Sequence, residues 1–170
     1  SETANAGSRR ATVKHLWLFP IIIILDQVTK VVVERTMILY QSISVLGGFF
    51  QLTYIHNAGA AFGLNIGSPL VHTLFSLVAL GVLGWLWRTA PVDALLLRYA
   101  LVVVLGGAVG NIIDRVRLGK VIDFFDFGFG DLRWPIFNVA DSAVTVGVFL
   151  LIIAYGRLKE DTPDDQASHT

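Results

Sequence analysis

Two aspartates, Asp123 and Asp141, are the first candidates for catalytic groups in this sequence. Asp123 lies between apolar neighbours with no basic residue beside it, and Asp141 has no cation at helical spacing in its own segment. Two carboxyl groups that share a site cannot both ionise easily, so one stays protonated while the other acts as a base. Such a pair can activate water against an amide and protonate the leaving nitrogen. The spacing alone leaves open the alternative that both aspartates only cap helices and contact water.

Three further charged residues are candidates for supporting such a site. Asp26 and Lys30 stand four residues apart, so they lie on one face of a helix. They form either a self-neutralising pair or a support for a nearby site. Asp114 precedes Arg115, which makes Asp114 a better candidate for a structural ion pair than for catalysis.

The sequence argues against other catalytic chemistries. It contains no cysteine, so a thiol nucleophile and a zinc–thiolate site are excluded. Its histidines are scattered without paired-ligand spacing, and no GxSxG or phosphate-binding glycine loop occurs. Those histidines are His15, His56, His72 and His169. A Ser–Lys dyad is disfavoured because Asp26 competes for Lys30, and the GxGD at 128–131 lies in a stretch rich in glycine and phenylalanine. We therefore expect neither a metal nor an organic cofactor.

Composition indicates which elements must position these residues. The chain of 170 residues suits one domain, and its 13 basic residues balance 13 acidic ones. Only 15% of the residues are charged and 54% are hydrophobic, whereas about 25% are charged in ordinary soluble domains. These values argue against intrinsic disorder, nucleic-acid binding and an ordinary soluble globule. A membrane protein is the class that remains.

Four apolar segments are long enough to span a membrane, which takes about 20 apolar residues. They cover 16–33, 69–87, 95–113 and 139–155. We therefore expect an all-α integral membrane protein with four transmembrane helices. It should form a single domain over 1–158, followed by a disordered polar tail at 159–170. Glu34 and Arg35, rather than small residues, follow the first segment, so we do not expect that segment to be cleaved off.

Positive charge predicts the orientation of these helices. One side of the membrane would carry Arg9, Arg10, Lys14, Arg88, Arg98, Arg157 and Lys159. The other side would carry Arg35, Arg115, Arg117, Lys120 and Arg133. The more basic side holds both termini, so we expect the termini in the cytoplasm and the two long connections outside. This topology brings the carboxyl groups of Asp114, Asp123 and Asp141 to one membrane depth.

The two long connections carry patterns of their own. The stretch 43–55 alternates apolar and polar residues and is predicted to be extended, and 57–63 then breaks the pattern as a turn would. The phenylalanine-rich stretch 124–129 suits a segment at the membrane interface. The GxxxG at 106–110 favours close packing of the third helix against its neighbours.

Five motifs on these segments resemble bacterial lipoprotein signal peptidase, also called signal peptidase II. They are LDQVTK at 25–30, NAGAAF at 57–62, GGAVGNIIDR at 106–115, VIDF at 121–124 and FNVADS at 137–142. Their order and spacing match the family, and the resemblance covers roughly 15–158. Each motif is weak alone, but the five together are highly specific.

This resemblance implies an aspartyl endopeptidase of the bacterial inner membrane. The family removes the signal peptide from diacylglyceryl-modified prolipoproteins, just before the lipid-bearing cysteine. Its catalytic pair matches Asp123 and Asp141. The positions that line or support its site match Asn57, Asn111, Asn138, Arg115, Asp26, Lys30 and Asp114, with Arg115 as the substrate-contacting arginine.

The resemblance also implies the surroundings of the site. A small extracytoplasmic β-sheet would rest on the membrane, and the phenylalanine-rich stretch would be an interfacial lid. The partners would be a lipidated prolipoprotein and membrane lipid, without nucleic acid, and we expect a monomer.

Two other classes of function remain as alternatives. A small transporter or channel component would use Asp26, Lys30 and Asp141 as an ion or proton relay. Against it, the polar residues cluster at the outer end and do not run the width of the membrane. A non-catalytic assembly factor would tolerate replacement of both candidate catalytic aspartates.

Overall fold

Four long helices form the body of the protein. The computed structural model describes residues 15–59 and 69–160. A 3-10 turn at His15–Trp17 leads into α1 at Leu18–Thr36, followed by α2 at Pro69–Thr89, α3 at Leu95–Leu118 and α4 at Val139–Glu160. All four are long and apolar enough to cross a membrane, as predicted.

The helices run two to five residues beyond the apolar segments at their C-terminal ends. Charged residues such as Glu34 and Arg117 continue a helix after the hydrophobic run has ended, because they have good helix propensity. Residues 159 and 160, predicted as the start of the polar tail, still belong to α4. The rest of that predicted tail lies outside the described residues.

A four-stranded antiparallel sheet accompanies the helices. It contains β1 at Ser42–Leu46, β2 at Phe50–Asn57, β3 at Val121–Phe129 and β4 at Leu132–Arg133, in the spatial order β1-β2-β3-β4. The class all-α is therefore too narrow. Both long connections contribute strands, and their pairing joins Ile55 to Asp123 and Asn57 to Val121.

The strands add detail to two parts of the sequence prediction. The stretch 43–55 is a hairpin rather than one extended segment, since Gly47 adopts a φ of +54° between β1 and β2. The phenylalanine-rich stretch 124–129, expected to be an interfacial lid, belongs to β3 and lies inside the sheet between β2 and β4.

The predicted break at 57–63 begins where β2 ends. Gly59 has a φ of +107°, and a Cβ added there would lie 2.3 Å from the ring of His72. Residues 60–63 lie outside the described part of the chain.

Helix α3 is the centre of the bundle and contacts each of the other three helices. Glycines allow its close approach to two of them. A Cβ on Gly110 would lie 2.6 Å from Oδ2 of Asp26 on α1, and a Cβ on Gly107 would lie 2.4 Å from the carbonyl oxygen of Ala140 on α4. The GxxxG therefore serves helix packing, as predicted.

A small apolar core joins the sheet to the end of α1. It consists of Val33, Met37, Tyr54, Ile122 and Phe124, all buried. Helix α3 ends at the same place, where Gly119 adopts a left-handed conformation with a φ of +72° and β3 begins two residues later. This junction brings β3 against the ends of α1 and α3 and the start of α4.

Candidate active site

Asp123 and Asp141 reach the same place from different elements, and Asn138 joins them. Asp123 is the third residue of β3, and Asp141 lies in the first turn of α4. Nδ2 of Asn138 donates to Oδ1 of Asp123 at 2.7 Å. Oδ1 of Asn138 accepts the backbone N–H of Asp141 at 2.8 Å, and Oδ2 of Asp141 accepts the backbone N–H of Asn138 at 3.3 Å. This reciprocal pair is a capping box that starts α4.

Two further amides donate to the same carboxyl groups. Nδ2 of Asn57, at the end of β2, lies 3.0 Å from Oδ2 of Asp123. Nδ2 of Asn111, on α3, lies 2.7 Å from Oδ1 of Asp141. All four carboxyl oxygens of the pair therefore accept a hydrogen bond from an uncharged donor. Such donors fix the geometry without neutralising the charge that the chemistry needs.

The environment of Asp123 favours the protonated form of its carboxyl group more than water does. Its side chain is 1% exposed. Burial, and next the negative charge of Asp141, raise the pKa of Asp123 to about 7, although hydrogen bonds from Asn57 and Asn138 act in the opposite direction. Near neutral pH, a large fraction of Asp123 therefore still carries its proton and can act as an acid.

A buried charged cluster lies behind the pair. Nζ of Lys30 is 2.8 Å from Oδ2 of Asp26 and 3.0 Å from Oδ2 of Asp114. It also donates to Oδ1 of Asn111 at 3.0 Å. The expected Asp26–Lys30 pair is present, and it extends to Asp114 on α3. Asp114 forms its ion pair with Lys30 and not with Arg115, since successive helical residues point in different directions.

Arg115 lies near the end of α3 and is partly exposed. It is close enough to Asp123 and Asp141 to interact with both through their charges. Within the described residues, no hydrogen bond or ion pair holds its guanidinium. An arginine so placed can meet an oxygen of a bound molecule.

Sequence reasoning gave no role to Gln27, although it lies between Asp26 and the rest of the first motif. Its Nε2 is 3.1 Å from Oδ2 of Asp26, from Oδ1 of Asp114 and from the carbonyl oxygen of Gly110. A polar residue beside an intramembrane aspartate was the available signal.

Asp126 is the second group that sequence reasoning missed. It lies in β3 and accepts hydrogen bonds of 2.6 Å from Oγ1 of Thr53 on β2 and from Nε of Arg133 on β4. It therefore ties three strands together. Its position as the lone carboxylate among phenylalanines was the signal for this role.

The remaining candidates stay outside the site. Asp131, the acid of the GxGD pattern, lies exposed in the turn between β3 and β4. Over residues 15–59 and 69–160, no three histidine, cysteine, aspartate or glutamate side chains are placed to hold a metal ion.

Comparison with known proteins identifies the family. The family model described as signal peptidase (SPase) II matches residues 18–157. The chain belongs to the signal peptidase II family. That match spans every element that builds the site, from α1 to α4.

Relatives and solved structures agree with this membership. A lipoprotein signal peptidase of Desulforapulum autotrophicum is 46% identical over 161 residues, which are 91% of this chain and 98% of the relative. One of Geobacter sulfurreducens is 50% identical over 135 residues, 77% of this chain and 84% of the relative. A bacterial membrane enzyme structure solved at 2.3 Å by the in meso method superposes with a TM-score of 0.77 at 34% identity, covering 92% of this chain and 94% of the other.

Membership in the signal peptidase II family decides between the classes of function left open by the sequence. The chain is a membrane protein and a protease. A transporter and a non-catalytic assembly factor do not agree with this membership.

Proposed function

We propose that this protein is an intramembrane aspartyl endopeptidase whose catalytic pair is Asp123 and Asp141. Its substrate is a diacylglyceryl-modified prolipoprotein, which it cleaves just before the lipid-bearing cysteine to release the signal peptide. Membership in the signal peptidase II family supports the reaction and the substrate class.

The observation that carries the assignment of the pair is its connection through Asn138. One amide side chain bonds to Asp123 through its nitrogen and to the backbone of Asp141 through its oxygen. Asn138 thereby contacts both aspartates and fixes their positions relative to each other. They are also the aspartates of the site that lack a cationic hydrogen-bond partner among the described residues, whereas Asp26 and Asp114 are both paired with Lys30.

The pair divides the chemistry into two proton transfers. One carboxylate accepts a proton from water as the water oxygen bonds to the carbonyl carbon of the scissile amide. The protonated partner gives its proton to the carbonyl oxygen, which produces a neutral tetrahedral intermediate. Collapse of this intermediate breaks the C–N bond, re-forms the carbonyl and passes a proton to the leaving nitrogen. The raised pKa of Asp123 favours Asp123 as the protonated partner and Asp141 as the base.

Other polar groups of the site bind the substrate. Arg115, partly exposed beside the pair, donates to a carbonyl oxygen of the bound peptide. Asn57 and Asn111 keep the carboxyl groups oriented. Every group assigned here belongs to one chain, which supports a monomer as the active form of the proposed enzyme.

The site faces the outer leaflet of the bacterial inner membrane, and both termini lie in the cytoplasm. The distribution of basic residues supports this orientation. It places the four-stranded sheet outside the cytoplasm, at the membrane surface. The lipidated cysteine of a prolipoprotein reaches the same depth when its signal helix lies in the bilayer.

A gel-shift cleavage assay tests the function. Purified protein in detergent is incubated with a diacylglyceryl-modified prolipoprotein and, in parallel, with the same precursor before lipidation. We expect release of the signal peptide from the lipidated substrate alone. If folded protein leaves a lipidated precursor intact that a known signal peptidase II cleaves, the proposal is wrong.

A further inference from the structure

Lys30 lies at the centre of a buried cluster, and its own side chain forms no hydrogen bond or ion pair with either catalytic carboxyl group. Its side chain is 1% exposed, and its ammonium contacts Asp26, Asp114 and Asn111 at 2.8 to 3.0 Å. Buried ion clusters of this kind are weak evidence of stabilisation, because apolar replacements of similar volume are often as stable. The position of the partners suggests a different role.

The two carboxylates paired with Lys30 each hold the backbone beside one catalytic aspartate. Oδ1 of Asp26 accepts the backbone N–H of Ala140 at 2.9 Å, and Ala140 precedes Asp141. Oδ2 of Asp114 accepts the backbone N–H of Ile122 at 3.1 Å, and Ile122 precedes Asp123. For each catalytic aspartate, the cluster therefore binds the backbone N–H of the residue that directly precedes it.

A third arm of the cluster ends on a catalytic side chain. Nζ of Lys30 donates to Oδ1 of Asn111, which leaves Nδ2 of Asn111 to donate to Asp141. Nδ2 of Asn138 donates to the same Oδ1 at 3.1 Å. Two donors on one oxygen fix which end of the Asn111 amide faces the carboxylate.

We propose that Lys30 is a positioning residue that sets the spacing of Asp123 and Asp141, by holding the backbone next to each aspartate through Asp114 and Asp26. This inference rests on the proposed function, because it presumes that these aspartates are the catalytic pair. Their elements, β3 and α4, approach from different directions, and α1 and α3 each lie against both of them. Lys30 on α1, paired with Asp114 on α3, joins these two helices at the site.

The test compares kcat and KM in a charge-matched variant. Replacing Lys30 alone would leave two buried carboxylates without a cation, which would destabilise the protein for an unrelated reason. The double variant Lys30→Met with Asp26→Asn removes one positive and one negative charge, so only Asp114 is left as a buried carboxylate without a cation. It also keeps an amide oxygen at position 26 to accept the N–H of Ala140.

The control removes another ion pair between the same two helices. Glu34 on α1 and Arg117 on α3 form an exposed pair at 3.1 Å, with side-chain exposures of 37% and 41%. The double variant Glu34→Gln with Arg117→Gln also removes one positive and one negative charge, but from side chains that are much more exposed than Lys30 and Asp26. We expect its kcat and KM to stay within about twofold of the wild-type values.

For Lys30→Met with Asp26→Asn, we expect kcat to fall about 10- to 100-fold while KM stays within about twofold, since a small misplacement of catalytic groups affects the rate more than binding. A variant that unfolds at a lower temperature but keeps the wild-type kcat in its folded fraction would overturn the proposal. That result would show a structural role only.

A second variant keeps the test decisive if the double variant does not fold. Asp26→Asn alone leaves Lys30 paired with Asp114, so the ammonium retains a carboxylate partner. We expect kcat to fall about 3- to 10-fold at unchanged KM. An unchanged kcat would show that the pairing of Lys30 with Asp26 does not position Asp141, which contradicts the proposal.

Asp123→Asn in the same assay separates this inference from the proposed function. If the wild type does not cleave, or Asp123→Asn cleaves at the wild-type rate, the proposed function fails and this inference with it. If both behave as expected and both variants of the Lys30 cluster keep the wild-type kcat, only the positioning role is wrong.

Discussion

The side-chain amide of Asn138 donates a 2.7 Å hydrogen bond to Asp123. Its carbonyl oxygen meanwhile accepts the N–H of Asp141, at the start of the fourth helix. One residue is thus both a helix cap and the link between two carboxyl groups. The position of each carboxyl group therefore depends on how that helix begins.

Replacement of Asn138 by alanine should impair both stability and catalysis. Loss of the cap should lower the free energy of unfolding by about 1 kcal/mol. Loss of the link should lower kcat about 100-fold, because the carboxyl groups are no longer held together. Thermal unfolding and a cleavage progress curve measure the two effects.

Ser142→Ala is the matched control for Asn138→Ala, since it removes a 2.9 Å hydrogen bond to the carbonyl oxygen of Asn138 but no contact with a carboxyl group. A kcat for Asn138→Ala equal to that of the control would contradict the account.

The raised pKa of Asp123 predicts how activity depends on pH. Burial and Asp141 raise this pKa to about 7, so Asp123 is protonated below pH 7 and ionised above it. As the acid of the pair, it should lose its proton on the alkaline side, and kcat should fall as pH rises through about 7. A rate that instead rises through this range would reverse the acid and base roles of the two aspartates.

Asn57→Ala should shift the fall of kcat at alkaline pH to a higher pH. The amide of Asn57 bonds to Asp123 at 3.0 Å and lowers its pKa. Its removal should raise the pKa of Asp123 further, so the decline in kcat should begin at a higher pH. The pH–rate profiles of the two proteins, recorded with the same substrate, give the comparison. A limb that moves to lower pH would contradict the prediction.

Gly110→Ala should disturb the buried cluster. The new Cβ would lie 2.6 Å from Oδ2 of Asp26 and 3.1 Å from its Cγ, so the carboxylate must move or the helices must separate. We expect a loss of about 1–3 kcal/mol in the free energy of unfolding, together with reduced activity. Gly84→Ala on α2 is the control, because a Cβ there meets nothing within 4 Å. Equal unfolding temperatures for the two variants would show that α1 and α3 are less closely packed than described.

Arg115→Gln should weaken substrate binding more than the chemical step. The guanidinium lies near the pair without a hydrogen bond or ion pair among the described residues, so its removal breaks neither kind of contact there. We expect KM to rise about tenfold with a smaller change in kcat. Arg117→Gln, two residues further along the same helix and exposed, should leave both constants unchanged. A wild-type KM for Arg115→Gln would remove Arg115 from the binding site.

The sequence was sufficient to predict the bundle and the meeting of Asp123 with Asp141. Four apolar runs determine the number of helices, and successive helices cross the membrane in opposite directions. The end of α3 and the start of α4 therefore lie on the same side of the membrane. The contacts of Lys30 in the buried cluster were not predictable from the apolar runs. Lys30 and Asn111 are 81 residues apart, and the rotation of α1 against α3 decides whether their side chains meet.

The sheet was predicted only in part, for a related reason. Alternation of apolar and polar residues indicated extended structure at 43–55, but the pairing of β2 with β3 depends on contacts 66 residues apart, such as that of Asn57 with Asp123. The partner of Asp114 was missed because its sequence neighbour Arg115 points elsewhere on the helix.

The most direct test of the account is the cleavage rate of Asp123→Asn and Asp141→Asn, each measured on a lipidated prolipoprotein beside the wild type. Each change keeps the size of the side chain but removes the group that carries or accepts the proton. Elution as a single species and an unfolding transition near that of the wild type would show that each variant is folded. We expect cleavage by each folded variant to be slower than that of the wild type by at least about 1,000-fold. Cleavage by either variant at a rate near that of the wild type would contradict the assignment of these aspartates as the catalytic pair.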